Sequence, residues 1–181
     1  MNIKSTIRKV VPKSTVKHLE ENFRKRRSSV MHVAYMMPAR KMRVIAVTGT
    51  NGKTTTCNYI NDILNASGKK TAMYTTAVIE VNGVRKLNTS HRTVPHARQL
   101  MSFLREAKRK KVDFVILEST SHALHQHKLL SIPIEVAVMT NLTQDHLDYH
   151  QTMDAYAQAK ARLFNSYMKP KVSILNRDDE Y

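Results

Sequence analysis

At 181 residues with a formal net charge of +16, the chain is long enough for one good core or for part of a larger protein. No apolar run approaches the roughly 18 to 20 residues that span a bilayer, and the basic, polar N-terminal stretch holds no apolar core of a secretory signal. A single cysteine, Cys57, excludes an internal disulfide framework and a multi-cysteine zinc site, so a cytoplasmic location is the expectation.

The charge is uneven. Residues 1–43 carry a net +10 of the +16, which marks residues 1–42 as a basic arm ahead of a domain at 43–181. Ile3, Ile7 and Val10, then Val16, Leu19 and Phe23 after Pro12, fall at helical spacing and predict two short basic amphipathic helices. Such helices lie on anionic membranes or on RNA, or pack a solvated face on the neighbouring domain. Without interleaved aromatics or a nucleic-acid motif, no nucleic-acid partner is expected, and peripheral membrane contact stays open.

From residue 43 strands and helices alternate. Arg43 to Val47 is a short β-branched run suited to a buried parallel strand. Gly49 and Gly52 follow, then a helix from Thr54 to Leu64 with Tyr59, Ile60, Ile63 and Leu64 on one face. Thr71 to Tyr74 reads as a strand, and Ala77 to Leu87 as a hairpin about Asn82-Gly83. Pro95 opens a helix to about Lys111, with Leu100, Phe103, Leu104 and Ala107 inward. Asp113 to Leu117 is a strand, Ser121 to Leu130 a short helix, Ile134 to Met139 a strand, Thr152 to Tyr167 a helix and Val172 to Leu175 a last strand. This rhythm predicts an α/β fold, a mostly parallel sheet with helices on both faces and function at the carboxyl ends of its strands.

Those ends carry chemistry. Strand, glycine loop and helix N-terminus together make a phosphate cradle, with Lys53 as a point charge and the Thr54 hydroxyl as a magnesium ligand. The spacing is irregular: a G-x-x-x-x-G-K-[ST] loop needs glycine at position 47, which is Val47. A turn that happens to carry a lysine is the plain alternative. Glu118 directly follows four apolar residues, as a magnesium ligand would or as a buried carboxylate capping a neighbouring helix. Lys160 sits in a helical stripe with Met153, Tyr156, Ala157, Ala161 and Phe164, where it either snorkels or needs a partner or a modification that removes its charge. The helical offsets of His122, His125 and His127 share no face, so zinc is not expected there, and His125 and His127 read as structural or exposed.

In order along the chain, Thr48-Gly-Thr-Asn-Gly-Lys-Thr-Thr55, Glu118-Ser-Thr-Ser-His122, Thr140-Asn-Leu-Thr-Gln-Asp-His146-Leu-Asp-Tyr-His150, Ala159-Lys160 and Leu175-Asn-Arg-Asp-Asp179 resemble the Mur ligases. The nearest branch is the UDP-N-acetylmuramyl-tripeptide synthetases, over about residues 42–179. The resemblance implies a P-loop NTPase-like central domain and an ATP-dependent ligase that joins an amino acid to a UDP-muramyl-peptide through an acyl phosphate. It implies ATP contacts at Thr48, Gly49, Thr50, Asn51, Gly52, Lys53, Thr54, Thr55 and Asn141. It also implies two magnesium sites, one on Thr54 and Glu118 and a second on His146 and a carbamylated Lys160. Lys53, His146 and Lys160 take the catalytic roles, and Thr93, Pro95, Ser121 and Lys128 the substrate contacts.

Departures touch the substrate side most. Val94 replaces a threonine, Gln144 a frequent arginine, and Lys128 an arginine whose bidentate fork a lysine lacks. The residues before the first strand are fewer than the family's uridine-binding domain needs, and none of its C-terminal domain follows Tyr181. The expectation is therefore an incomplete central domain that does not complete the reaction alone. A folylpolyglutamate synthetase-type ligase and a non-catalytic nucleotide-binding or membrane-associated module are the alternatives.

Overall fold

The computed structural model describes residues 13–90, 93–165 and 168–181. Seven strands, β1 (Arg43–Thr48), β2 (Thr71–Tyr74), β3 (Val78–Val81), β4 (Val84–Leu87), β5 (Phe114–Glu118), β6 (Ile134–Met139) and β7 (Val172–Leu175), form one sheet in the order β4-β3-β2-β5-β1-β6-β7. Strands β2, β5, β1, β6 and β7 run parallel, and the Asn82-Gly83 hairpin adds β3 and β4 antiparallel at one edge. The expected α/β class and every expected strand are present: β2, β6 and β7 match their expected spans, and the ends of β1, β3 and β5 differ by no more than one residue.

Side chains alternate across β1, as a strand's period of two requires. Val44 and Ala46 enter a larger core with Leu100, Leu104, Leu124 and Leu163, while Ile45 and Val47 enter a smaller one with Cys57, Met73 and Ile116. Helix α2 (Lys53–Ala66) covers the second face. Helices α3 (Ala97–Arg109) and α4 (Ser121–His125) lie with the first, and α6 (Met153–Ala161) packs on α4 and on the single turn α5 (Leu147–His150). Beneath α2, fully buried Asn61 accepts from Thr71 Oγ1 at 2.6 Å and donates to Glu80 Oε1 at 3.1 Å, so the one polar side chain on its inward face is satisfied.

Several local readings need correction. In α2 the inward face is Cys57, Ile60, Asn61 and Leu64, and Tyr59 and Ile63 are exposed, because the sheet meets the helix one position further round than the hydrophobic count implies. The helix expected from Ser121 to Leu130 stops at His125, and that expected from Thr152 to Tyr167 stops at Ala161. On α6 the buried residues are Tyr156, Ala159 and Lys160, and Ala161 is exposed.

The arm differs most. The first of its two expected helices lies outside the described residues, and the second is one long helix, α1 (Lys13–Ala34). Of the readings offered for it, the packing of its solvated face on the domain is the one observed. Leu19, Phe23, Val30 and Val33 form an outward stripe, each more than half exposed. Its polar side docks on the domain: Ser28 Oγ donates to the Leu130 carbonyl at 2.9 Å, Ser29 and Ser131 hydroxyls meet at 3.0 Å, and Glu21 lies 3.1 Å from His127 Nε2. Burial pushes the Glu21 carboxyl up, but hydrogen bonds from Lys25 and His127 outweigh it and hold the pKa at about 2. Met31 and Tyr35 complete the contact against the larger core. Among the described residues no helix is long and apolar enough to cross a membrane.

Candidate active site

The sheet order sets β1 between β5 and β6, so the loops after these three strands meet at one rim. After β1, Gly49 adopts φ 153° and Gly52 φ 77° as the N-cap of α2. Gly49 is obligatory for packing as well as for backbone, since a Cβ there would lie 1.8 Å from Thr140 Oγ1 and 3.2 Å from the Asn141 amide nitrogen. Thr140 Oγ1 donates to the Asn51 carbonyl at 2.7 Å. Asn141 Oδ1 accepts from the Thr50 and Asn51 amides at 3.2 and 2.9 Å. The loop after β6 thus clamps the loop after β1.

This clamp redistributes roles expected from sequence. The amides of Thr50 and Asn51 are satisfied by Asn141, which acts on the loop backbone. The first-turn amides of Lys53, Thr54 and Thr55 precede the first helical bond, from the Thr56 amide to the Gly52 carbonyl at 2.8 Å. They are the donors such a helix end offers to an anion. Thr50 Oγ1 accepts from the Thr143 amide at 3.0 Å and lies 3.2 Å from the Tyr156 hydroxyl. Thr48 is fully buried, and its hydroxyl and that of Ser119 find no protein partner among the described residues.

Thr54 and Glu118 come together as expected. Thr54 Oγ1 donates to Glu118 Oε2 at 2.9 Å, and the Thr76 amide and hydroxyl donate to the same carboxylate at 2.8 and 3.1 Å. The carboxylate is only 2% exposed, and these donors satisfy its buried oxygens. Thr76 was not anticipated; a threonine pair at the end of β2 is the signal that reveals it. Lys53 Nζ rests on the Thr50 carbonyl at 2.6 Å, with burial lowering its pKa and Glu118 raising it.

Lys160 is the sharpest feature. It is 1% exposed, lies 4.5 Å above the Tyr156 ring and donates to the Gly49 carbonyl at 2.5 Å. Burial first, then the charge of Lys53, brings its pKa down to about 7. An inward lysine was legible, but the Tyr156 and Gly49 contacts were not.

His146 opens α5 in the left-handed region at φ 52°, half exposed, with Nε2 3.5 Å from Asp145. Its ring meets His122 edge-on at 4.9 Å, and His122 continues to Tyr149 at 4.0 Å and His150 at 5.5 Å. His125 pairs with the Tyr149 hydroxyl at 3.0 Å and His127 with Glu21, both structural placements. Among the described residues no three His, Cys, Asp or Glu side chains gather to hold a metal. The implied magnesium sites need no such cluster, since one draws on a hydroxyl, a carboxylate and phosphate oxygens.

An open cleft of about 510 Å³ lies beside this rim, lined by Lys53, Thr76, Thr93, Glu118, His122 and Lys128 among others. Thr93 Oγ1 bonds Thr120 Oγ1 at 3.2 Å, and Lys128 Nζ donates to the Val94 carbonyl at 3.1 Å. Pro95 and Ser121 are buried behind the lining, Ser121 with its hydroxyl 2.9 Å from His150 Nε2.

Fold and site together define an α/β module built round a glycine loop at a helix N-terminus, with an acid and two lysines at the carboxyl ends of parallel strands. The chain belongs to the family described as the Mur ligase middle domain, which matches residues 47–181. It is 43% identical over 149 residues to the UDP-N-acetylmuramoyl-L-alanyl-D-glutamate–2,6-diaminopimelate ligase of Syntrophomonas wolfei, covering 81% of this chain and 30% of that one. A solved structure of a ligase of that name superposes with a TM-score of 0.73 at 34% identity, over 90% of this chain and 32% of the other. Mycobacterium tuberculosis folylpolyglutamate synthase, solved with ADP and AMPPCP, matches at TM-score 0.65 and 20% identity over 92% and 44%, a likeness of fold. The chain spans about a third of the length of the ligases it matches.

Burial lowers the His122 and His150 pKa values below the ordinary 6.5, assisted by the neighbouring histidines, and burial with Arg162 lowers that of His127. The fold therefore opposes their protonation. Stability from these groups is complete above the unfolded value of 6.5 and is lost as pH falls below it towards the depressed folded values. Thermal melting followed from about pH 7.5 to about 5.5 should show a falling Tm, and His150→Asn should flatten part of that slope.

Proposed function

We propose that residues 43–181 form the ATP-binding part of an ATP-dependent amide ligase that acts on a UDP-muramyl-peptide in peptidoglycan precursor synthesis. The convergence of Lys53, the Thr54–Glu118 pair and buried Lys160 on one glycine loop carries this reading, together with family membership and the matched ligases. In the proposed reaction a substrate carboxylate oxygen attacks the γ-phosphorus and ADP leaves. The amine of the incoming amino acid then adds to the acyl phosphate, and phosphate departs from the tetrahedral intermediate. Magnesium would neutralise charge on the transferring phosphoryl group and its oxygens.

The residues divide this work by position. The α2 first-turn amides and Lys53 would bind phosphate oxygens, Thr54 and Glu118 would hold a first magnesium, and His146 with a carbamylated Lys160 would hold a second. Lys160 suits carbamylation: an amine with a pKa of about 7 is about half neutral near that pH, and the neutral form is nucleophilic towards carbon dioxide. Thr93 and Lys128 orient the acyl substrate, with Pro95 and Ser121 supporting them. A folylpolyglutamate-type substrate is disfavoured by the Asp145-His-Leu-Asp-Tyr-His150 segment, and retention of Glu118, His146 and Lys160 argues against a purely nucleotide-binding role.

Calorimetry with magnesium and ATP tests the reading. Wild type should bind, Lys53→Ala should weaken binding by about tenfold or more, and bicarbonate should strengthen metal-dependent binding only while Lys160 is intact. Wild-type protein that binds no ATP, with or without bicarbonate, would sink the proposal.

The outward stripe on α1 favours a second role, peripheral contact with an anionic membrane. Leu19, Phe23, Val30 and Val33 are exposed along one face, with Arg26 among them and Arg27 beside them. Apolar insertion and lipid charge would act together there. Sedimentation with vesicles should capture the protein on phosphatidylserine-containing but not on purely phosphatidylcholine membranes, and Phe23→Asp/Val30→Asp should abolish capture. Equal recovery with both membranes, or capture unaffected by the double substitution, would refute it.

A further inference from the structure

The parallel strands share a second rim, the one at which they begin. Backbone bonds tie its segments side by side: the Arg43 amide donates to the Asp113 carbonyl at 3.3 Å, and the Asp113 amide to the Lys70 carbonyl at 2.7 Å. Exposed cations lead into every parallel strand except β6. Arg40-Lys41 precedes β1, Lys69-Lys70 precedes β2, Lys108-Arg-Lys-Lys111 comes shortly before β5, and Lys171 heads β7. These segments are remote in sequence, and the sheet makes them one surface.

Few carboxylates face this charge. Asp113 accepts from the Lys70 amide at 2.9 Å, Glu135 pairs with Arg43 at 2.6 Å and lies 3.9 Å from Lys171, and Glu106 stands about a turn back on α3. Glu118, Asp145, Asp148 and Asp179 belong to the opposite, catalytic rim. Positive charge gathered at one end of the sheet sets up a potential that concentrates anions there.

The apolar stripe of α1 runs into the same rim. Arg105 of α3 sits 5.4 Å over the Tyr35 ring, and α3 packs on α1 and on the 3-10 turn Pro38–Lys41. The last turn of α1 therefore lies beside the basic end of α3. Met36 and Met37 make the corner in left-handed backbone, at φ 60° and 45°, and both are exposed. Val30, Val33, Met36 and Met37 thus lead to Arg40 as an exposed apolar strip. A concavity of about 410 Å³ opens there, walled by Val33, Met37, Arg40 and Pro133 with two serines and no acid. Apolar side chains that can insert, set beside lysines and arginines, are the combination that holds anionic bilayers. A single-stranded nucleic acid is bound by stacking aromatics as well as charge, and the cationic segments carry none.

We propose that the amino-end rim of the sheet, with Val30, Val33, Met36 and Met37, is the face this protein lays on an anionic bilayer, so that the glycine loop at the other rim points away from lipid into water. The choice of lipid rests on the membrane reading of α1; the part played by the rim, and the orientation it sets, rest on where the sheet places the charges.

Sedimentation of the full chain with phosphatidylserine-containing vesicles tests this. Lys108→Glu/Lys110→Glu should lower partitioning by about tenfold or more, since each cation near the surface adds to binding. Lys86→Glu/Arg177→Glu carries the same charge change away from the rim, on β4 opposite Ile79 and after β7, and should lower it far less. Equal losses in the two pairs would reduce the effect to net charge and overturn the rim. A polarity-sensitive dye on Met36→Cys should shift to the blue on vesicles and one on Arg177→Cys should not, while Cys57 stays buried. A shift at both positions, at Arg177 alone or at neither would overturn the orientation. Capture lost in Phe23→Asp/Val30→Asp but kept in the rim pair leaves the α1 reading and removes the rim; the converse keeps the rim and removes the stripe; no capture of wild type removes both. Single-stranded RNA bound by wild type and released by the rim pair, with vesicle capture unaffected, would assign the rim to nucleic acid and overturn the proposal.

Discussion

Gly49 is where three separate pieces of the chain are forced together, and the geometry of the site follows from how tightly they meet. Thr140 brings its hydroxyl to within 1.8 Å of the position a Cβ would take, Asn141 holds the next two amides, and Lys160 from α6 binds the Gly49 carbonyl. None of these contacts is local in sequence. They exist because β6 is the parallel neighbour of β1 and because α6 returns over the same strand ends. A residue with any side chain at 49 would push the two loops apart and move Lys53, Asn141 and Lys160 together.

The electrostatics depend on the same closeness. Two lysines and one carboxylate are withdrawn from water within a short span, and burial lowers the pKa of both Lys53 and Lys160. Glu118 offsets Lys53, and Thr54 and Thr76 satisfy the carboxylate in turn. Among the described residues Lys160 contacts the Gly49 carbonyl and the Tyr156 ring face, and burial with the charge of Lys53 outweighs the help of Asp145, so the site tolerates its charge poorly. That imbalance disfavours the ammonium form, so a neutral amine fits this position better than a charged one.

Much of this was legible from residue order alone. The β-branched run before Gly49, the apolar run ending at Glu118 and the run from Ile134 to Met139 announce the three strands that carry the site, and Lys160 betrays itself by interrupting an apolar stripe. What could not be read was long-range. Tyr59 and Ile63 are as apolar as Ile60 and Leu64, and only the sheet decides which pair is covered. That Asn141 braces the loop could not be read either, because its partners lie 90 residues away. Which side of α1 docks was also not decided by its apolar spacing: Ser28 and Ser29 find partners 102 residues on and leave the apolar stripe outside.

The most direct test of this account is the magnesium-dependent ATP affinity of Gly49→Ala, measured beside its far-UV circular dichroism. The account requires a folded sheet with binding weakened by about tenfold or more, because the added Cβ separates the loops after β1 and β6. A Gly49→Ala protein that folds and binds ATP as wild type does would contradict it.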